Sequence, residues 1–297
     1  MAHPHDVFRV GRATVTKVED ILLDNFKPSQ LIPDWDATLI EHHPDWLPAG
    51  TLDGASEHVL LSVHTWVVRE DGRIVLVDTG VGNSKSRPYA AYFDHLRTPY
   101  LERLKAIGIE PEAVDYVLMT HLHLDHVGWN TRLDQGRWIP TFPNARHIFS
   151  RAEHAYFQDP ANHNERNRTS FMVQKDSVDP VVDAGLADMI AVSGAEPIPG
   201  FTFHSTPGHS IDHSSIELRS GGETALFAGD VLHHPVQDFH PEWLSILDAF
   251  PEDTLRSRHW ALDFAAERDA VFFSSHFADS SAGKVSRHGK AYAWRFL

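Results

Sequence analysis

Apolar positions along the chain cluster in short runs more often than they trace helical stripes. Residues 59–68 and 73–77 are β-branched, apolar runs joined at Glu70-Asp71-Gly72, where Asp-Gly marks a tight turn, and they predict two consecutive strands. A looser alternation over 10–20 predicts a first strand. Residues 116–120, 146–150, 189–192, 201–205, 215–218 and 224–227 predict a series of short strands, with turns at Pro199-Gly200 and Gly221-Gly222, and 270–273 a last one. Helical periodicity is confined to three places: 89–107, closing at Gly108 and broken or kinked at Pro99, then 151–157, and 253–267.

Two stretches fit neither pattern. Residues 25–56 mix Pro28, Pro33, Pro44 and Pro48 with Phe26, Trp35 and Trp46, and predict an irregular arm or lid, a candidate dimer interface. Residues 158–185 are rich in Asn and charge and predict a surface insertion with some helix. With no repeat or linker in between, the expectation is one domain over 1–297.

Composition narrows the partners. Lys and Arg number 26 against 41 Asp and Glu, a formal charge of −15, which argues against a nucleic-acid or anionic-membrane partner and leaves a small-molecule substrate. Cysteine is absent, so thiolate metal sites and disulfides are excluded. The first residues lack the basic start and apolar core of a signal peptide, and no run approaches membrane-span length, so a soluble cytoplasmic location is the expectation.

The run His121-Leu122-His123-Leu124-Asp125-His126-Val127-Gly128 changes the picture most. It begins where the strand at 116–120 ends. Side chains two apart on extended chain point the same way, so His121 and His123 can address one ion, while Asp125 and His126, past a change of direction, can face a second. Imidazole and carboxylate suit zinc, manganese, iron or cobalt. Three further polar residues follow predicted strands beside small residues: His209 in Thr206-Pro207-Gly208-His209, Asp230 in Phe227-Ala228-Gly229-Asp230, and His276 in Ser274-Ser275-His276.

In this ordered set the chain resembles the metallo-β-lactamase superfamily over nearly its whole length. The resemblance implies an αββα sandwich, two mixed sheets packed face to face with helices outside. It also implies two divalent metal ions, most often zinc: His121, His123 and His209 on the first, Asp125, His126 and His276 on the second, and Asp230 bridging. Asp78, in Asp78-Thr79-Gly80, matches the family's ligand-orienting aspartate. Two such cations acidify a shared water and polarise a carbonyl or phosphoryl oxygen, with Asp125 or Asp230 as proton acceptor, which implies a metal-dependent hydrolase.

Departures within the family narrow it further. The absence of cysteine excludes the cysteine-ligand β-lactamases, His123 stands where flavodiiron-type relatives place Glu, and the stretch after His276 is too short for a glutathione-binding helical region. What remains is similar to the branch of lactonases and methyl parathion hydrolase-like enzymes, acting on a small, fairly apolar ester or lactone. A phosphotriesterase, a hydrolytic dehalogenase and a mononuclear iron sulfur dioxygenase-like enzyme are the alternatives. Those lactonases carry a tyrosine three positions after the bridging Asp; this chain has His233, a candidate hydrogen-bond donor to an oxyanion, with packing or support of a metal ligand as its competing role. Trp129, Trp138, Phe142, Phe239, Trp243 and Phe277 are candidate walls of an apolar pocket, each with core packing as its competing role.

Overall fold

The computed structural model describes residues 7–43, 46–289 and 291–297, and these described residues form sixteen strands and eight short to medium α-helices. The first strands are β1 (Val7–Val10), β2 (Ala13–Phe26), β3 (Val59–Glu70), β4 (Arg73–Val77) and β5 (Tyr116–Leu118). After a small hairpin, β6 (Thr131–Asp134) and β7 (Arg137–Pro140), come β8 (Arg146–Ser150) and β9 (Ala187–Ile190). The remainder are β10 (Ala195–Ile198), β11 (Phe201–Ser205), β12 (Ser214–Ser220), β13 (Glu223–Gly229), β14 (Val271–Ser274), β15 (Ala282–His288) and β16 (Ala291–Phe296). The helices are α1 (Pro28–Leu31), α2 (Ala37–His42), α3 (Tyr100–Ala106), α4 (Arg151–Gln158), α5 (Arg168–Val173), α6 (Asp179–Asp183), α7 (Val236–Phe239) and α8 (Pro251–Arg268).

Two seven-stranded mixed sheets result, ordered β1-β2-β3-β4-β5-β8-β9 and β10-β11-β12-β13-β14-β15-β16. By contacts the chain separates into two units, Met1–Ile21 with Val63–Ala191 and Leu22–Ser62 with Val192–Leu297. The first has a core of Val67, Leu76, Leu104, Val117, Trp129 and Phe149 among others, the second one of Leu226, Leu262, Ala265, Phe272 and Phe277. No helix among the described residues is long and apolar enough to cross a membrane.

Strand direction decides what emerges where. In the first unit β4, β5 and β8 are parallel, with Val77 opposite Leu118 and Leu118 opposite Ile148, so the segments that follow leave from one edge. In the second, β13 and β14 are parallel with Gly229 opposite Ser274, and β11 runs the same way because it is antiparallel to β12, which is antiparallel to β13. The ends of β11, β13 and β14 therefore share an edge, the usual place for ligands in such sheets.

Several expectations are corrected. The predicted helix at 89–107 survives only as α3, preceded by a single 3-10 turn at Ala91–Phe93, because Pro99 occupies the N-cap of α3 and cannot continue a helix from before it. The strand expected at 189–192 sits earlier, at Ala187–Ile190. The run at 270–273 is not the last strand: β15 and β16 follow and close the sheet edge as a hairpin. Trp35 and Trp46 of the arm have partners within the second unit. Trp35 packs on His234 and Trp243, and Trp46 on Phe239 and His240, so the arm lies over the loop that follows Asp230.

Candidate metal centre

In the first unit the ligand run is held by the turn after β4. Asp78 takes a left-handed backbone conformation, φ 56°, that turns its carboxylate onto the segment after β5. One oxygen accepts the Thr120 N–H at 2.9 Å; the other accepts the Thr120 hydroxyl at 2.9 Å and His126 Nδ1–H at 2.8 Å. With its proton spent on Asp78, the Thr120 oxygen can only accept from His121 Nδ1, 3.0 Å away. Both imidazoles thus carry their proton on Nδ1 and keep the Nε2 lone pair, the tautomer a metal ligand needs. Asp78 occupies the orienting position expected from its motif.

The backbone is stitched just as closely. The Thr79 N–H donates to the His126 carbonyl at 2.6 Å, the Gly128 N–H to Gly80, and the Trp129 N–H to Thr79. A Cβ on Gly128 would sit 1.8 Å from the Val81 carbonyl oxygen, so only glycine fits there. From the other side Glu153, fully buried on α4, accepts the Leu122 N–H at 3.1 Å. The His121 ring centroid lies 4.5 Å from that of His123 and 4.0 Å from that of His126, and Asp125 Oδ1 is 3.8 Å from His126 Nε2. His121 and His126 are buried, while His123 and Asp125 are half-exposed.

The second unit brings His209, Asp230, His233 and His276 together. Asp230 is fixed through its own N–H, which donates to His213 Nε2 at 2.8 Å; His213 in turn donates Nδ1–H to the Thr206 carbonyl at 3.0 Å. His276 Nδ1–H donates to the Ser62 carbonyl at 3.0 Å. His209 follows Gly208, whose φ of 139° and approach to Thr254 on α8 leave no room for a side chain.

The chemistry converges on one oxygen. Asp230 Oδ2 lies 2.9 Å from His276 Nε2, 3.3 Å from His209 Nε2 and 3.5 Å from His233 Nε2. With the His276 proton on Nδ1, the contact at 2.9 Å sets a lone pair against a carboxylate. It is attractive only when a cation, either a second proton or a metal ion, joins them. The donor set therefore fits divalent metal.

Arg258 frames this second set. Fully buried on α8, it donates to the carbonyls of Val231, Pro241 and Trp243 and pairs with Asp248 Oδ2 at 3.3 Å. Asp248 Oδ1 faces His209 Nδ1 at 4.0 Å. Burial pulls Arg258 down from its ordinary value and pushes the enclosed Asp238 carboxyl well up. His233 is fully buried, its ring parallel to that of His276 at 5.6 Å and 5.1 Å from that of His209. His209, His233 and Asp248 offer donor atoms within 4.8 Å of one another.

Of the aromatics considered as pocket walls, Trp129 and Phe142 are core residues of the first unit, and Phe239 and Phe277 of the second. Trp138 carries Lys85 Nζ over its ring at 3.9 Å, and Trp243 stacks on His240. Sequence reasoning missed Glu153, His213, Ser62 and Arg258. No local signal in the sequence marks them: Glu153 stands between Ala152 and His154 and Arg258 between Ser257 and His259.

A profile of the metallo-beta-lactamase superfamily matches residues 58–276, and the chain belongs to that superfamily. It is 29% identical over 191 residues to the N-acyl homoserine lactonase AttM of Agrobacterium fabrum, covering 61% of this chain and 65% of the relative. The chain thus spans just under two thirds of that relative. Among solved structures, the hydrolase AbOPH of the beta lactamase superfamily superposes with TM-score 0.82 at 25% identity, covering 100% of this chain and 98% of the other. AidC, a dizinc quorum-quenching lactonase in complex with a homoserine product, superposes with TM-score 0.78 at 19% identity, covering 99% and 97%. The fold is the metallo-β-lactamase fold, as the ligand motif implied.

Proposed function

We propose that this protein is a dinuclear metal-dependent hydrolase of a small, fairly apolar ester or lactone. On this reading, as the family resemblance implies, His121, His123 and His209 would hold one ion, Asp125, His126 and His276 the other, and Asp230 would be shared between them. The observation that carries the reading is the tautomer set: Asp78, Thr120 and the Ser62 carbonyl hold three imidazoles with the proton on Nδ1, the form in which each Nε2 can bind a divalent ion. The lactonase named among the relatives supports the choice of bond.

Bound divalent ions would supply an acidified water and a Lewis-acid pull on the acyl oxygen. The chain's own residues divide the remaining work. Asp125 is the better proton acceptor of the two carboxylates: it is half-exposed, whereas Asp230 Oδ2 is already crowded by three imidazoles. His233 has no hydrogen-bond partner for either ring nitrogen among the described residues, so an N–H there is available to an oxyanion. His123 and Asp125, the more open members of the run from His121 to His126, mark the side from which substrate enters.

A panel of lactones, aryl esters and phosphotriesters, assayed before and after chelation and again after metal is restored, tests this. The expected result is chelator-sensitive, metal-restored hydrolysis of lactones or aryl esters. Turnover of the whole panel unaffected by chelation would overturn it.

A further inference from the structure

His209 lies between two carboxylates of the second unit. Its Nε2 is 3.3 Å from Asp230 Oδ2, and on the far side of the ring its Nδ1 is 4.0 Å from Asp248 Oδ1. All three side chains are buried. Asp248 is gripped at its other oxygen: Oδ2 accepts the Ser245 N–H at 2.8 Å and meets Arg258 Nη2 at 3.3 Å. Its Oδ1 is left buried, facing His209, with no hydrogen-bond partner among the described residues. A buried carboxylate oxygen without a donor is costly, and an N–H at His209 Nδ1 would supply one.

The backbone keeps the two groups in register. The Ala249 and Phe250 N–H groups, directly after Asp248, both donate to the carbonyl of Gly208, directly before His209, at 3.0 and 2.7 Å. The Ser257 hydroxyl donates to the Pro207 carbonyl at 2.6 Å, and a Cβ on Gly208 would meet the Thr254 nitrogen at 2.3 Å, so α8 closes on the same turn. At 4.0 Å the contact between Asp248 and His209 is too long for a hydrogen bond. A shift of about 1 Å makes it one. A proton on His209 Nδ1 and a cation at its Nε2 select the same tautomer, so each favours the other.

His209, His233 and Asp248 also offer donor atoms within 4.8 Å of one another, a grouping that could take an ion of its own. Arg258 opposes that use, because a divalent ion on Asp248 would sit beside a buried guanidinium already paired with the same carboxylate.

We propose that Asp248 is the positioning residue of His209, its Oδ1 accepting Nδ1–H when a divalent ion binds Nε2, as Asp78 accepts from His126 in the first unit. The assignment rests on the metal-centre reading of the site. Asp248→Asn is the informative variant, because the Ser245 N–H and Arg258 both require an oxygen where Oδ2 stands. The amide NH2 is then turned toward His209, where a donor favours an unprotonated Nδ1 and a proton on Nε2, the tautomer that cannot bind metal.

The test titrates zinc into the full chain labelled with nitrogen-15 and follows the His209 Nδ1–H resonance, assigned by its absence in His209→Gln. In the wild type this resonance should move downfield as zinc binds. In Asp248→Asn, with near-wild-type circular dichroism, it should be lost, and affinity for one of the two zinc ions, measured by chelator competition, should fall about 10- to 100-fold. The wild-type resonance decides the matter even where the variant fails to fold. A zinc-loaded wild type with no proton on His209 Nδ1, or a folded Asp248→Asn with wild-type zinc affinities, overturns the assignment alone. A third zinc ion per chain that disappears in Asp248→Asn overturns it in favour of an ion on Asp248 itself. A wild type that binds no zinc overturns the metal-centre reading and the assignment with it.

Discussion

Lys85 should make the stability of this protein depend on pH in a range where few other groups titrate. Its side chain is fully buried, with Nζ 2.8 Å from the Thr131 hydroxyl, 3.0 Å from the Asp176 carbonyl and 3.5 Å from Asp176 Oδ1. Arg87 already satisfies that carboxylate, so burial dominates and Lys85 falls from 10.5 to about 7. At 1.36 kcal/mol per pH unit, a drop from 10.5 to about 7 corresponds to about 5 kcal/mol. The sign follows from proton counting. Between about pH 7 and 10.5 the unfolded chain holds a proton at Lys85 that the folded chain has released, so folding stability rises with pH through that window, and below it the full cost of a buried ammonium is present. Urea unfolding at pH 7, 8, 9 and 10 of the wild type and of Lys85→Met, at the same metal loading, isolates the effect. Wild-type stability should gain on the variant's by up to about 1.4 kcal/mol per pH unit. Parallel profiles would refute the reasoning and mean that Asp176 keeps Lys85 charged well above neutral pH.

Three other outcomes follow from the site. Asp78→Asn replaces one of the two acceptor oxygens that fix Thr120 and set the proton on His126 Nδ1 with an NH2 donor, so the three hydrogen bonds can no longer all form; metal affinity measured by chelator competition should fall about 10- to 100-fold, with near-wild-type circular dichroism. Arg258→Met leaves Asp248 buried without its counter-charge and three carbonyls without a donor, and should lower unfolding free energy by about 3–5 kcal/mol in urea titrations. His233→Phe should cut kcat by about 10²- to 10³-fold while the metal content by atomic absorption is retained; loss of metal instead would make His233 a structural residue.

How much was legible in the sequence depended on how far apart the interacting residues lie. The run from His121 to His126 is local, so alternation along the chain was enough to recognise a ligand set. His209, Asp230 and His276 were found only by their order, whereas the groups that fix their protons were not found, because His276 and Ser62 are 214 positions apart and nothing local links them. The stretch 158–185 was read as a surface insertion from its Asn and charge content; the π-helical turn at Gln174–Val178 breaks the 3.6-residue period there, so the buried Val173, Val178 and Val181 leave no helical stripe in the sequence. The hairpin of β15 and β16 was missed for a similar reason: its first strand is polar over Ser286, Arg287 and His288, which are exposed, and only its early residues reach the core. Lys85 and Arg87 ran against expectation altogether, since fully buried cations are rare without a partner, and theirs, Asp176, is about 90 positions away.

The central claim is that the held imidazoles and Asp230 serve two metal ions in a hydrolytic site. Its most direct test is the metal-to-protein ratio of the chain purified without added metal, measured by inductively coupled plasma mass spectrometry on the same sample whose lactone and ester turnover is assayed. Two divalent ions per chain, with turnover lost as they are removed and regained as they are restored, is the predicted result. A single iron per chain with no hydrolysis of any ester or lactone would contradict it.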